Sequence, residues 1–187
     1  TAKTDILHQL SAFGVQVIDL EGLANHRGSL LGQQSGGQPS QKAWETALAC
    51  ALARLDPARP ILIEAESSKV GDRIIPPTLW AAMKAAPRIQ LEAPIAARAA
   101  YLAKAYADLA ADPAELEAKL SILRRHRGRH VDDWLALMGA GEMETLAAGL
   151  VQHHYDPTYR ASRAKHRPTV LETFATDELS EAARATL

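Results

Sequence analysis

Lys3-Thr4, at the head of a helical pattern, has the residue types that close a phosphate loop of the form G-x-x-x-x-G-K-[ST]. In such a loop the lysine reaches the phosphates and the hydroxyl ligates magnesium. Ala2 stands where glycine is usual, and the pair reads equally well as a plain helix start. Ile61-Leu62-Ile63-Glu64-Ala65-Glu66 is an apolar run ending in acids. That is the pattern of a strand whose last carboxylate holds magnesium or orients a water, and also of a buried strand whose acids emerge into solvent. Asn25-His26-Arg27-Gly28-Ser29 gathers donors in a glycine-bearing stretch, where Arg27 can grip a phosphate with two parallel hydrogen bonds. Ser67-Ser68-Lys69 leaves the acid-ended run in the same manner. Solvated turns are the plain alternative for both stretches.

A second chemistry is suggested by Arg124, Arg125, His126, Arg127, Arg129 and His130. On a helix these spread around much of the circumference, so some can meet RNA phosphates while others form a solvated face. Arg160, Arg163, Lys165, His166 and Arg167 form another basic stretch. Cys50, flanked by Ala49 and Ala51, reads as a buried structural thiol rather than a nucleophile. His153 and His154 are adjacent and diverge on a helix, which argues against a shared metal even with Asp156 nearby.

The elements that must position these groups follow from periodicity. Ile6, Leu7, Leu10 and Phe13 predict a helix over 3–13, ended by Gly14. Val15 to Leu20 predicts a buried strand with Asp19 at its carboxyl end, and 21–40 a long loop. Ser40 caps a helix over 41–55 with Trp44, Leu48, Leu52 and Leu55 on one face. A strand at 60–66, a polar loop at 67–77, a short helix at 78–85 and a strand at 88–92 follow. Beyond 95 the patterns predict helices at 95–111, 113–127, 130–138 and 142–153, with Asp112 capping and Pro113 in the first turn. His154-Tyr155-Asp156-Pro157 should break the series. A last strand at 169–174 and a terminal helix over 177–187 complete the pattern.

Strand–helix alternation up to residue 92 predicts an α/β fold, with the strands near 15–19, 60–66 and 88–92 parallel neighbours in one sheet flanked by helices. Ligands then bind beyond the carboxyl ends of the strands, where Asp19, Glu64, Glu66 and Glu92 stand. The expected division is 1–94 as the α/β core and 95–187 as a helical region packing on it.

Composition narrows the classes. The chain has 187 residues, 47% hydrophobic and 23% charged, with net charge −1, so nucleic-acid binding must come from local clustering. One cysteine excludes an internal disulfide and a multi-cysteine zinc site. No apolar run approaches the ~18 residues of a membrane span, and no signal peptide is visible, so a cytoplasmic, non-membrane protein is expected.

Asp19-Leu-Glu-Gly-Leu-Ala-Asn-His-Arg-Gly-Ser29 with Gly32, Gln38-Pro39-Ser40-Gln41-Lys42, Glu64-Ala65-Glu66-Ser67-Ser68-Lys69-Val70-Gly71 with Pro76-Pro77, and His154-Tyr155-Asp156-Pro157-x-Tyr159 occur in that order. Together they resemble the bacterial tRNA 2-selenouridine synthases. The resemblance implies a P-loop domain joined to a rhodanese-like domain that carries the catalytic cysteine. It implies replacement of sulfur by selenium in wobble 2-thiouridine of tRNA, with selenophosphate as selenium donor and an S-geranylated intermediate made from geranyl diphosphate. It makes Lys3-Thr4 the end of the phosphate loop, with Asn25, His26, Arg27, Ser29, Ser67, Ser68 and Lys69 around the anion. Asp19, Glu64 and Glu66 become acids for a magnesium ion, if one is used, and no other cofactor is implied. Arg124, Arg125, Arg127 and Arg129 are candidates for tRNA contact. His154, Tyr155, Asp156 and Tyr159 form a motif without an assigned role.

The rhodanese-like domain, the central strand before the phosphate loop and most of that loop do not occur in these 187 residues, and Cys50 does not match the family's catalytic cysteine. The chain reads as a fragment, for which isolated activity is not expected. Two other readings fit the residues: a P-loop small-molecule kinase or phosphotransferase, and a non-catalytic helical RNA-binding module.

Overall fold

A computed structural model describes residues 2–65, 67–166 and 168–184, with the backbone alone described for 126 and 162–166. Two compact units result, one spanning Ala2–Ala86 and the other beginning at Pro87.

In the first unit α1 (Lys3–Ala12) leads to β1 (Gln16–Ile18), α2 (Leu20–Ala24), α3 (Gln41–Leu52), β2 (Ile61–Ile63), the hairpin strands β3 (Lys69–Val70) and β4 (Arg73–Ile74), and α4 (Pro77–Ala85). β1 and β2 pair in parallel, Val17 opposite Leu62. Both are short, with Ile18 buried at the end of β1 and Ile61 exposed at the start of β2. Ile18, Leu20, Ala24, Trp44, Leu48, Val70, Ile75 and Met83 form the core. Ser40 caps α3 as expected, its side chain accepting from Ala43 N. The expected loop over 21–40 begins instead with α2, because Asp19 caps it by accepting from Gly22 N. The expected loop over 67–77 contains the β3–β4 hairpin.

The second unit holds β5 (Arg88–Glu92), α5 (Ile95–Ala105), α6 (Ala107–Ala110), α7 (Pro113–Ile122), α8 (Arg124–Gly139) and α9 (Met143–Leu150). A π-helical turn (Val151–Tyr155), α10 (Asp156–His166), β6 (Val170–Ala175) and α11 (Glu181–Arg184) follow. Asp112 caps α7 through Glu115 N, with Pro113 in its first turn. Leu116, Leu120, Val131, Trp134, Leu146, Leu150 and Val151 are buried.

Three expectations are corrected here. β5 does not join β1 and β2; it pairs in parallel with β6, Leu91 opposite Phe174. Its alternation of polar and apolar residues, with Ile89 exposed, marks a strand that is not sandwiched on both faces. Residues 154–157 do not break the helical series; the π-helical turn carries it directly into α10. Cys50 is not buried but exposed on α3, because Trp44 and Leu48 turn the opposite side of that helix to the core.

Candidate functional site

α2 directly contacts two of the predicted groups, Thr4 through Glu21 and Glu64 through the Leu20 N–H. Asp19 ends β1 and starts α2, so its carboxylate lies where the backbone leaves the sheet. Oδ1 accepts from Gly22 N at 2.6 Å, and His8 Nε2 of α1 donates to Oδ2 at 2.7 Å. One turn earlier on the same face of α1, Thr4 Oγ1 donates to Glu21 Oε2 of α2 at 2.9 Å. α1, whose first residue is Lys3, is thus stitched twice to the start of α2.

β2 ends on Glu64, which is 2% exposed. Its Oε2 accepts from Leu20 N at 3.0 Å, while Oε1 is buried with no hydrogen-bond partner beside the Asp19 carboxyl. Burial, reinforced by that neighbouring carboxyl, pushes the Glu64 pKa up to about 8. Burial also pushes Asp19 upward. The neighbouring Glu64 carboxyl and the hydrogen bonds from Gly22 N–H and His8, with the charge of His8, outweigh it and hold Asp19 below its ordinary value. The pair therefore holds one proton, on Glu64, with the negative charge on Asp19 beside His8.

The stretch after α2 is fastened to the hairpin. Asn25, in the left-handed region at φ 47°, donates from Nδ2 to Ser35 O and Gly37 O at 2.9 Å each. His26 is buried, and its Nδ1 accepts from Gly28 N. Arg27 N donates to Gly32 O, and Ser29 N to Arg27 O, closing a tight turn. Gln38 Nε2 donates to Val70 O at 2.9 Å and to Ala24 O at 3.3 Å, while its Oε1 accepts from Asp72 N. Gly71 sits against His26 and Gln38 so closely that a Cβ there would lie 2.7 Å from the imidazole. The turn carrying Arg27 is therefore laid beside the hairpin carrying Lys69. Ser67 Oγ donates to Lys69 O and accepts from Lys69 N, and Ser68 O accepts from Ile75 N. Ser67, Ser68 and Lys69 are exposed. Glu66 lies outside the described residues, as do the side chains of His126, Arg163, Lys165 and His166, and Arg167 altogether.

Sequence reasoning missed His8 and Glu21. The signal for His8 was its place four residues after Thr4, on one helix face. The arrangement suits proton holding and release near neutral pH, next to a region of backbone N–H groups and cations. Among the described residues no group of three His, Cys, Asp or Glu side chains is placed to hold a metal ion. Three oxygens of the Asp19–Glu64 pair are engaged by His8 and two backbone N–H groups, and the raised pKa of Glu64 suits a proton there better than a magnesium ion.

In the second unit Arg124 and Arg125 are exposed, and Arg124 Nη1 donates to Asp132 Oδ1 at 2.6 Å. Arg127 has non-helical backbone angles (φ −138°, ψ 26°) that kink α8. Arg129 is exposed and its Nε approaches His130 Nε2 at 3.4 Å. Asp156 is held by both guanidinium nitrogens of Arg98, Nη1 donating to Oδ2 at 3.3 Å and Nη2 to Oδ1. His154 is partly buried and edge-on to Tyr155, and burial followed by the charge of Arg127 lowers its pKa. Tyr159 is exposed on α10.

A parallel strand pair with a polar cluster at its carboxyl ends, beneath the start of a helix, defines the first unit as an α/β domain of the P-loop-like class. The family model for the AAA domain of tRNA 2-selenouridine synthases matches residues 1–125, and the chain belongs to that family. It is 32% identical over 173 residues to the tRNA 2-selenouridine synthase of Cupriavidus pinatubonensis, covering 89% of this chain and 46% of the relative. It is 33% identical over 174 residues to that of Hahella chejuensis, covering 88% and 42%. Over 99 residues it is 42% identical to that of Alcanivorax borkumensis, covering 52% and 26%. The chain thus spans under half the length of these curated relatives. No solved structure matches it. Among the described residues no helix is long and apolar enough to cross a membrane.

Proposed function

We propose that this chain is the anion-binding part of a cytoplasmic, tRNA-modifying transferase that replaces sulfur by selenium in wobble 2-thiouridine. The observation that carries this reading is the double stitching of α1 to α2, with the Asp19 and Glu64 carboxyls beside it and the Arg27 turn laid against the Lys69 hairpin. Lys3, Arg27 and Lys69 then supply positive charge, and Ser29 and Ser68 hydroxyls, to one diphosphate-sized anion, with Thr4 and Ser67 joining once they release Glu21 and Lys69 O. Asn25 and His26 shape the turn that presents Arg27. Lys3-Thr4 in this reading closes the phosphate loop. The helix start adds attraction for phosphate.

In a geranylation step the thione sulfur of 2-thiouridine bonds to C1 of geranyl diphosphate. The C1–O bond breaks and diphosphate departs with the electron pair. Cations held around the departing diphosphate favour that step more than they favour ground-state binding. Selenium of selenophosphate then bonds to C2 of the base, geranylthiol departs with the C2–S electron pair, and water takes the phosphoryl group as phosphate, with the rhodanese-like domain as the source of the cysteine chemistry. For magnesium to be held here, Glu64 must first give up its proton and Asp19 its contact with His8.

The test is mass spectrometry of wobble uridine in cells lacking the gene for this chain. Loss of 2-selenouridine is expected, with restoration by the wild-type gene. Unchanged 2-selenouridine would remove the proposal.

A further inference from the structure

The kink of α8 at Arg127 and the π-helical turn both border a cavity of about 550 Å³, lined by Arg127, Arg129, His130, Gln152, His153 and Pro157. We infer that this cavity, in the second unit, holds phosphates of the RNA backbone, separately from the anion site on α2. The inference rests on the reading that the chain serves a tRNA-modifying enzyme.

The backbone irregularities explain how the cavity forms. On a straight helix Arg129 points about 200° away from Arg127, because each residue turns about 100°. The non-helical Arg127 breaks that spacing, and Arg127, Arg129 and His130 border one space. Kinks and π-turns are where helices expose side chains for use. Here one of each faces the same cavity.

The lining chemistry is one-sided. Two guanidinium groups, two imidazoles and an amide line the cavity, and no carboxylate does. Neighbouring acids are engaged elsewhere: Asp132 by Arg124 and Asp156 by Arg98. Asp133 is the acid that acts on His130. The His130 and His153 rings stack 4.2 Å apart and 10° from parallel, and His130 also stacks on Trp134, which is 2% exposed. The buried indole fixes the imidazole plane. Desolvation, then the charges of His153 and Arg129, lowers the His130 pKa. An anion in the cavity would relieve that crowding of like charge.

A polymer backbone fits better than a small diphosphate. Arg124 and Arg125 continue the basic track along α8 outside the cavity. A small ligand would not reach them, whereas successive phosphodiesters would.

The test uses the enzyme that joins this chain to a rhodanese-like domain. Its probes are a labelled tRNA transcript and inorganic pyrophosphate, titrated at several salt concentrations. The double variant Arg127→Gln/Arg129→Gln should weaken tRNA binding at least about tenfold and reduce the salt slope by about 1.5 to 2. Pyrophosphate affinity and melting temperature should hold. If the double variant unfolds, His153→Gln and the shift of the His130 and His153 ring resonances on adding tRNA give the same reading. Wild-type affinity and slope in the variants would overturn the inference while leaving the proposed function standing. So would loss of pyrophosphate binding with tRNA binding intact. A wild-type enzyme that does not bind tRNA would also overturn it. Failure of the selenouridine measurement in cells would strike the proposed function instead.

Discussion

The Glu64 carboxyl lies beside that of Asp19 just beyond the carboxyl ends of two parallel strands, with the pKa of Glu64 raised to about 8 and that of Asp19 lowered. An acid whose pKa is higher in the folded chain binds more protons there than when unfolded. Its contribution to stability is therefore present at low pH and is lost as pH rises from the ordinary value of 4.5 to about 8. Glu64→Gln keeps a donor toward Asp19 and an acceptor for Leu20 N but cannot ionise. Melting curves of the wild type should fall across this window, with a slope of at most about 1.4 kcal/mol per pH unit for one proton. Those of the variant should be flatter. Parallel curves would show that Glu64 does not titrate there.

Arg27→Ala should separate binding from folding. A hydrogen bond to a charged group contributes about 1.5–3 kcal/mol, so geranyl diphosphate affinity should fall roughly tenfold or more. Melting temperature and tRNA affinity should barely move. Calorimetry on the enzyme that joins this chain to a rhodanese-like domain gives the answer, and wild-type diphosphate affinity would take Arg27 out of the site.

Gly71 combines φ of +58° with a virtual Cβ 2.4 Å from Gln38 Oε1, whereas Gly37, at φ +70°, has nothing within 4 Å. Gly37→Ala should therefore cost only the left-handed conformation, about 1–2 kcal/mol. Gly71→Ala should cost that and more, because Gln38 must also release Val70 or Asp72. Urea unfolding of both variants checks the order; equal midpoints would mean that the Gln38 fastening contributes nothing.

The thiol of Cys50 is exposed. It should react with a disulfide reagent in the native chain as fully as in denaturant. Cys50→Ser should shift stability by about 0.5 kcal/mol or less, as exposed substitutions do. A thiol protected until unfolding would contradict its exposure.

Local signals carried much of the fold. Ser40 and Asp112 act as the caps their residue types announce, and the apolar runs before Asp19 and Glu64 are the parallel strands they suggest. Non-local pairing was not legible in this way. Nothing near Arg88 specifies a partner more than seventy residues away, although the polar–apolar alternation of β5 did argue against a covered position. α2 was hidden because its five residues include a glycine and follow a strand directly, so the Asp19 cap was read as a strand end. Cys50 was misplaced by its alanine neighbours, although rotation from Trp44 and Leu48 puts it on the opposite face. At the site, the acids and the Arg27 turn were legible as residue types. That Glu64 carries a proton was not, since it depends on burial and on the exact approach of Asp19.

The π-helical turn holds one residue more than an α-helical turn would, and each residue turns a helix by about 100°. The phase of everything after Leu150 is therefore set by a count. Substitutions between Val151 and Tyr155 leave that count intact, but removing one residue would rotate Asp156 away from the two guanidinium nitrogens of Arg98. Across related chains this stretch should hold its length, with insertions and deletions displaced into the loops on either side of the helical series.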